Sequence, residues 1–137
     1  MGTVHAEITL KNAVDVDNAR TGIIRNEAVR SITVTAVVDT GAGTLVINDE
    51  QSQKLGLLPN KDQAVHLADG RRLVCKVVSP VQILWKNRDT TCEAIVVPGA
   101  RTVLLGAIPL EAMDLMIHPK KQELAGVHGD EAELMLL

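Results

Sequence analysis

One acidic residue follows directly after an apolar run and is itself followed by a hydroxyl and a glycine. Residues 32–38 are rich in β-branched side chains, and Asp39, Thr40, Gly41 and Ala42 come next. A strand in this position would fix the direction of the carboxylate, and the glycine would let backbone amides approach it closely. A charge that leaves water needs partners. An ordinary Asp turn also has this composition, so the role of the acid depends on the rest of the chain.

The other side chains that could do chemistry are four histidines and two cysteines. The histidines have no zinc-ligand spacing, and no histidine is placed by the sequence to activate a thiol. Cys75 and Cys92 lie far apart in apolar runs and are predicted to be buried free thiols of a cytoplasmic protein, with a disulfide between neighbouring strands as the alternative. We therefore expect no metal and no cofactor.

The composition indicates one domain with an aliphatic core. The chain has 137 residues, 46% of them hydrophobic, with no Phe, no Tyr and a single aromatic side chain, Trp85. Such a core favours thin β-layers packed with branched aliphatics. Trp85 is expected to cover an apolar face, or else to line a substrate groove. The scarcity of aromatic rings and the net charge of -3 argue against nucleic-acid binding.

Membrane and secretory signals are not apparent in the sequence. No apolar run reaches the roughly 18–20 residues of a membrane-spanning helix. Residues 1–7 do not have a basic segment followed by an apolar one, as a secretory signal would. We expect no membrane partner and a cytoplasmic location.

Short apolar and alternating runs predict a mostly β domain with two short helices. The expected strands span residues 4–10, 21–25, 29–39, 44–47, 63–67, 71–78, 81–85, 91–97, 103–105 and 115–117, with a loop at 11–18 and a hairpin turn at 25–27. Asn48 and Gln51 have the spacing of a capping box, so one helix should begin there and stop at Gly56. Pro109 suits the first turn of the other helix, with Leu110 facing inward.

A hairpin is predicted around Asp69 and Gly70. This dipeptide between two alternating runs is typical of a two-residue type I′ turn, in which both residues have positive φ. The strands at 63–67 and 71–78 would then pair directly.

These features stand in a fixed order that resembles the retropepsin-like aspartic proteases, the retroviral proteases and their bacterial relatives. The tetrapeptide 39–42 is followed about thirty residues later by the hairpin, then by VLLGAIPLEAM at 103–113 and by Ile117-His118-Pro119. The resemblance covers residues 3–125 and is stronger to the bacterial branch. It implies a single-domain closed β-barrel or sandwich with a hairpin that folds over the active site as a flap.

The resemblance also implies a role for each matching residue. Asp39 matches the catalytic acid, and Thr40 matches the threonine whose hydroxyl locks two loops across a dimer axis. Gly41 matches the glycine that lets the backbone approach the carboxylate, and Gly106 matches the glycine packed behind that loop. Ala42 completes the loop without a hydroxyl that could hydrogen-bond the carboxylate, which predicts a pH optimum nearer mild acidity. The flap tip falls at Ala68, Asp69, Gly70 and Arg71.

Peptide hydrolysis by this route requires two carboxyl groups, one to deprotonate a water and one to polarise the carbonyl. The chain has one such motif, because no second Asp follows an apolar strand. Among the others, Asp15, Asp17, Asp62, Asp89 and Asp114 lie in polar or helical surroundings. A symmetric homodimer with Asp39 from each copy is the economical solution. The substrate would be a peptide or protein held in extended conformation by strand addition.

Two functions from different classes follow. The first is a homodimeric aspartic endopeptidase. The second is a catalytically idle domain of the same fold that serves for dimerisation or peptide binding, since a fold does not fix a function. The intact Asp39-Thr40-Gly41 favours the enzyme.

Residues 1–125 are expected to form the protease domain and residues 126–137 a C-terminal tail. The tail ends in Leu134-Met135-Leu136-Leu137. Three roles are open to this apolar end: disorder, packing on its own domain, or a strand at the dimer interface.

Overall fold

The computed structural model describes residues 2–133, so the apolar end at 134–137 lies outside the described residues. The strands are β1 (His5–Asn12), β2 (Ser31–Val38), β3 (Leu45–Ile47), β4 (Leu58–His66), β5 (Arg72–Trp85), β6 (Arg88–Val96), β7 (Val103–Leu105), β8 (Leu115–His118) and β9 (Glu123–Gly126). The helices are α1 (Ala13–Arg20), α2 (Asp49–Lys54) and α3 (Ala107–Ala112), with a 3₁₀ turn at Asn26–Ala28.

Six strands close into a barrel. One sheet runs in the order β1-β2-β7-β3-β6-β5-β4, and a second edge of β1 pairs with the end of β5, from Thr9 opposite Leu84 to Asn12 opposite Val81. Strand β4 pairs with β5 and is not part of the closed barrel. Strands β8 and β9 form a separate two-stranded sheet. The predicted fold class, mostly β with a closed barrel, is confirmed.

The barrel is filled by branched aliphatic side chains, as the composition predicts. Alternate residues of β1 point inward, and Ile8 and Leu10 are almost completely buried. Leu45, Ile83 and Leu105 meet them from β3, β5 and β7. Each such side chain stabilises the fold by about 1.5–3 kcal/mol through the area that it removes from water.

The segment after β1 differs from the sequence-based expectation. The predicted loop at 11–18, strand at 21–25 and hairpin turn at 25–27 are wrong, because β1 continues to Asn12, α1 follows at once and a 3₁₀ turn occupies Asn26–Ala28. The side-chain oxygen of Asn12 accepts a hydrogen bond from the Asp15 N–H at 3.1 Å and caps the helix. Only Ala13 and Asp15 of α1 are buried, so no apolar stripe marks the helix in the sequence.

Polar contacts hold α1 in place. The buried Asp15 carboxylate accepts hydrogen bonds from the backbone N–H, Nε and Nη2 of Arg30 at 2.8–3.0 Å. The hydrogen bond from the Arg30 side chain outweighs burial and lowers the pKa of Asp15. Asn12 Nδ2 donates to the Leu55 carbonyl at 2.8 Å, which links α1 to the end of α2.

The helices on either side of the site follow their capping signals. Asn48 and Gln51 form both hydrogen bonds of a capping box, and Gly56 ends α2 with φ of +62°. Pro109 lies in the first turn of α3, and Leu110 is buried. None of the helices in the described part of the chain is long and apolar enough to cross a membrane.

The two expected strands at 71–78 and 81–85 are one strand, β5, with an irregularity in its pairing to β6 between Val78 and Val81. At its start β5 forms a hairpin with β4, and the predicted type I′ turn there is wrong. Gly70 has φ of +87°, whereas Asp69 does not have positive φ. The Gly70 N–H donates to the Leu67 carbonyl at 2.9 Å, and the Leu67 N–H donates to the Arg71 carbonyl at 2.8 Å. The loop therefore has three residues, with glycine in the left-handed position.

The chain beyond β9 contacts the barrel up to Glu133. The Arg88 guanidinium, which is buried, donates to the carbonyls of Met113, Asp114 and Gly129. The Glu133 N–H donates to the Asp114 carboxylate at 3.1 Å. The boundary between a domain at 1–125 and a tail at 126–137 stays a prediction.

Candidate active site

Strand β2 delivers Asp39 to the floor of a cleft. It pairs in parallel with β7, from Ala36 opposite Val103 to Val38 opposite Leu105. The Asp39 N–H continues this ladder by donating to the Leu105 carbonyl at 3.0 Å. Because the backbone is bonded up to the acid itself, the direction of its side chain is set by the sheet.

The loop after β2 folds back on the carboxylate. Asp39 Oδ1 accepts a hydrogen bond from the Gly41 N–H at 2.9 Å, and the Ala42 N–H donates to the Asp39 carbonyl at 3.1 Å. A Cβ on Gly41 would lie 3.1 Å from Oδ1, which is tighter than most contacts of this kind. Asp39 is half-buried, and Thr40 is exposed.

Gly106 packs directly behind this loop. A Cβ there would lie 2.3 Å from the Thr44 carbonyl oxygen and 2.6 Å from that of Ala42, so no side chain fits without moving backbone. The next two amides bond the same loop: Ala107 N–H donates to the Ala42 carbonyl at 2.8 Å, and Ile108 N–H to the Gly43 carbonyl at 3.1 Å. The loop and the start of α3 therefore hold each other.

A cavity of about 440 Å³ lies between this loop and the end of β4. Its lining residues are Asp39, Gly41, Ala42, Gly43, Thr44, Val46, Val65, His66, Leu67, Ala68, Ile95, Val97 and Leu104. Asp39 is the one acidic side chain among the described residues that line it. The hairpin of β4 and β5 thus lies against the same space as the carboxylate.

The predicted site residues divide into three groups. Asp39, Gly41, Ala42 and Ala68 line this cavity. Thr40 and Gly106 belong to the loop and its support, and they are not part of the lining. The remaining flap residues, Asp69, Gly70 and Arg71, form the exposed turn beyond it. His66, Thr44 and Val46 line the cavity but were not predicted, because their neighbourhood depends on pairing between distant strands.

The turn between β4 and β5 has its own ion pair. The Asp69 carboxylate accepts from the Arg71 backbone N–H at 3.0 Å and from Arg71 Nε at 2.7 Å. These two hydrogen bonds lower the pKa of Asp69, so the pair persists into mild acidity.

A second cavity of about 550 Å³ adjoins the first and shares Gly43, Thr44, Val65 and Ile95 with it. Lys61, Glu93 and Cys92 line it, and no pattern in the sequence predicts this role. Burial raises the pKa of the Cys92 thiol to about 11, which keeps the thiol protonated. Cys75 and Cys92 are both free, so the alternative of a disulfide between them is wrong.

A third cavity, of about 620 Å³, lies elsewhere, between β1 and β9, and Asp39 does not line it. Trp85 lines this space and packs against the core from the end of β5. Lys86 Nζ lies 4.6 Å from the centre of its ring. Within residues 2–133, no three His, Cys, Asp or Glu side chains come close enough together to hold a metal ion.

A closed barrel with an Asp-Thr-Gly loop beneath a hairpin defines the class of retropepsin-like aspartyl proteases. Residues 27–112 match the family described as gag-polyprotein putative aspartyl protease, which is more than half of the chain. The chain belongs to this family. The matched segment contains the loop at 39–42, the hairpin and Gly106. No curated protein matches the chain.

Proposed function

We propose that this protein is an aspartic endopeptidase that acts as a homodimer, with Asp39 of each copy forming a shared catalytic pair. The observation that carries the proposal is the position of the Asp39 carboxylate, held by the Gly41 N–H and facing the cavity under the hairpin. Family membership supports a protease role in general terms.

One oxygen of the carboxylate is free to react. Oδ1 is engaged by Gly41, whereas Oδ2 accepts no hydrogen bond from any of the residues 2–133. That oxygen is available to a water and to a second carboxyl group. In the proposed mechanism one Asp39 is ionised and takes a proton from the water, and the other is protonated and donates to the substrate carbonyl.

The second carboxyl group must come from another chain. The described lining of the cavity contains no acid besides Asp39. Two carboxyls a few ångströms apart share one proton, because both cannot be ionised at that distance. A two-fold axis beside Asp39 would bring the Asp39 carboxyl groups of two copies together, so one motif per chain is enough. Thr40, which is exposed, is the loop residue that would face this axis.

The hairpin offers an edge to an extended substrate. In the described chain β4 pairs with β5 alone, so its other edge has free N–H and C=O groups. A peptide between this edge and the floor could add as a strand, with main-chain hydrogen bonds for affinity and side chains in the two cavities.

The proposal is tested by comparing Asp39→Asn with Asp17→Asn. Each substitution replaces one carboxylate by an amide, and Asp17 lies on the exposed face of α1. Both are assayed with a denatured protein substrate from about pH 3 to pH 7. We expect Asp17→Asn to cleave like the wild type and Asp39→Asn to lose activity. Equal cleavage by both variants, or none by the wild type, contradicts the enzyme and leaves the idle module.

Mixing separates a shared pair from two independent sites. Wild-type chains are unfolded and refolded together with an equal amount of Asp39→Asn chains. Random pairing leaves about one quarter of the dimers wholly wild-type, so a shared pair predicts about one quarter of the activity of an all-wild-type sample. Independent sites predict one half, and a strict monomer in sedimentation with peptide present excludes the pair.

The pH optimum should lie in mild acidity. Ala42 has no hydroxyl to hydrogen-bond an ionised carboxylate, so the ionised form of the pair lacks one source of stabilisation. The rate of cleavage against pH measures this directly. A sharp maximum below about pH 3 would contradict the expectation.

A further inference from the structure

An ion pair crosses the second cavity. Lys61 comes from β4, the hairpin strand, and Glu93 comes from β6, in the barrel wall. Lys61 Nζ lies 3.2 Å from Glu93 Oε2. Both side chains line the cavity and are 54% and 45% exposed, while Glu93 Oε2, the oxygen nearest Lys61 Nζ, is itself buried.

The other described residues that line this cavity carry no charge. Its apolar lining residues are Ala64, Val65, Val77, Ile95 and Ile108. Ile108, at the start of α3, is 58% exposed. The ion pair is therefore the only pair of opposite charges in the described lining of this space.

The position of Glu93 is tied to the active-site loop. Thr44 Oγ1 donates to the Glu93 carbonyl at 2.8 Å, and Leu45 pairs in parallel with Ala94. Thr44 and Gly43 also line both cavities. A substrate backbone that passes Asp39 is therefore within reach of the second cavity with a neighbouring side chain.

We propose that the Lys61–Glu93 pair sets the charge preference of the second cavity for a substrate side chain. With both charges present they cancel, and the cavity takes an uncharged aliphatic side chain. Removing Lys61 would leave a carboxylate that favours a lysine or arginine side chain, and removing Glu93 would leave an ammonium that favours an acidic one. This inference rests on the proposed function, because it assigns a substrate side chain to that site.

The same hairpin supplies a matched control. Lys76 and Asp62 form a second cross-strand pair, with 4.0 Å between Nζ and Oδ1 and with both side chains 66% exposed. Neither residue lines either of the two cavities. Any effect of overall charge on a charged peptide would appear equally in variants of this pair.

The experiment measures kcat/KM for a peptide series in which each position in turn carries Leu, Lys or Glu. The variants are Lys61→Met, Glu93→Gln, the double variant, and the controls Lys76→Met and Asp62→Asn, all at about pH 6 and low salt. At one peptide position, Lys61→Met should raise the Lys-to-Leu ratio about two- to fivefold, and Glu93→Gln should raise the Glu-to-Leu ratio similarly. The double variant should return to the aliphatic preference of the wild type.

The inference is overturned if the Lys-to-Leu and Glu-to-Leu ratios of kcat/KM do not change in the single variants, or if they change equally in the controls. In either case, cleavage of the peptides still supports the proposed endopeptidase. The same peptides are also titrated into these variants with Asp39→Asn added, and binding is measured by calorimetry. If the peptides bind with the expected charge preference but no protein that retains Asp39 cleaves them, the inference is upheld and the endopeptidase proposal is contradicted. Absence of both binding and cleavage would contradict the two together.

Discussion

Gly106 and Gly43 are two glycines at the loop that follows Asp39, and they differ in their tolerance for a methyl group. A Cβ on Gly106 would lie under 3 Å from backbone atoms of Ala42 and Thr44, whereas a Cβ on Gly43 would meet nothing within 4 Å. We expect Gly106→Ala to lower the free energy of unfolding by about 1–3 kcal/mol, because rigid backbone must move. Gly43→Ala should change it by less than about 0.5 kcal/mol.

Urea unfolding of both variants checks this difference. The loop that Gly106 supports also carries Asp39, so Gly106→Ala should lose cleavage even at temperatures at which it is folded. If the two variants have the same urea midpoint, the loop backbone can move to accommodate a methyl group on Gly106 and the close packing there does not contribute to stability.

At the level of single residues, the sequence identified what is local and not what is brought together. Asp39 and Gly41 are two residues apart, and their hydrogen bond follows from the loop that the motif predicts. Lys61 and Glu93 lie on different strands, and the sequence alone does not determine the register in which these strands pair. Their contact could therefore not be predicted. A shift of one residue in the pairing would have turned either side chain to the other face.

Among the elements, the hairpin turn is held by its own ion pair and by two backbone hydrogen bonds that Leu67 makes with Gly70 and Arg71. Asp69→Ala removes the acceptor of two hydrogen bonds from Arg71 and should loosen the turn without altering global stability, since the whole turn is exposed. If the hairpin closes over substrate, KM should rise several-fold while the unfolding midpoint stays constant.

Asp62→Ala, in β4 and outside the turn, is the control for this substitution. The pH dependence has a definite sign. The pKa of Asp69 is lowered, so the stabilisation is complete above its ordinary value of 3.8 and is lost as pH falls through the lowered value. A KM that is the same for both variants at about pH 5 would contradict a role for the turn.

The elements also differ in how well the sequence predicted them. Helix α2 was predictable because Asn48, Gln51 and Gly56 are start and stop signals that act within a few residues. Helix α1 was not predictable from the sequence. It is held by hydrogen bonds between Asp15 and Arg30, fifteen residues further along the chain, and it has no apolar face. Long-range polar contacts leave no period in the sequence.

At the scale of the whole molecule, the chain after β9 is fixed by a pH-sensitive pair. His128 Nδ1 lies 2.8 Å from Asp114 Oδ2, and the hydrogen bond to Asp114 raises the pKa of His128. Burial favours the protonated acid, but the hydrogen bonds from His128 and from the Glu133 N–H outweigh it and lower the pKa of Asp114.

The signs define a window. The histidine contribution is complete below its ordinary pKa of about 6.5 and is lost as pH rises through the raised value. The aspartate contribution is complete above 3.8 and is lost as pH falls through the lowered value. Exchange protection of the Glu133 N–H should therefore be highest between about pH 4 and pH 6.5, and His128→Asn should remove its decline at higher pH. An unchanged decline in the variant would assign it to another group.

The family-matched segment should not fold by itself. Residues 27–112 do not include β1, which supplies Ile8 and Leu10 to the core and pairs with both β2 and β5. Without it two strands expose unpaired edges and the barrel is open. We expect circular dichroism to show an unfolded 27–112 fragment and a folded 1–133 chain. A cooperative unfolding transition in the fragment would contradict this.

The hydrogen bond between the Asp39 N–H and the Leu105 carbonyl joins opposite halves of the chain. Contacts of such long sequence separation form late in folding, because a large loop must close before they are gained. During synthesis the carboxylate therefore leaves the ribosome long before the backbone that orients it. A growing chain therefore carries Asp39 before Leu105 is present to orient its backbone. Under the proposed function, the site can therefore be completed only after synthesis has passed Leu105.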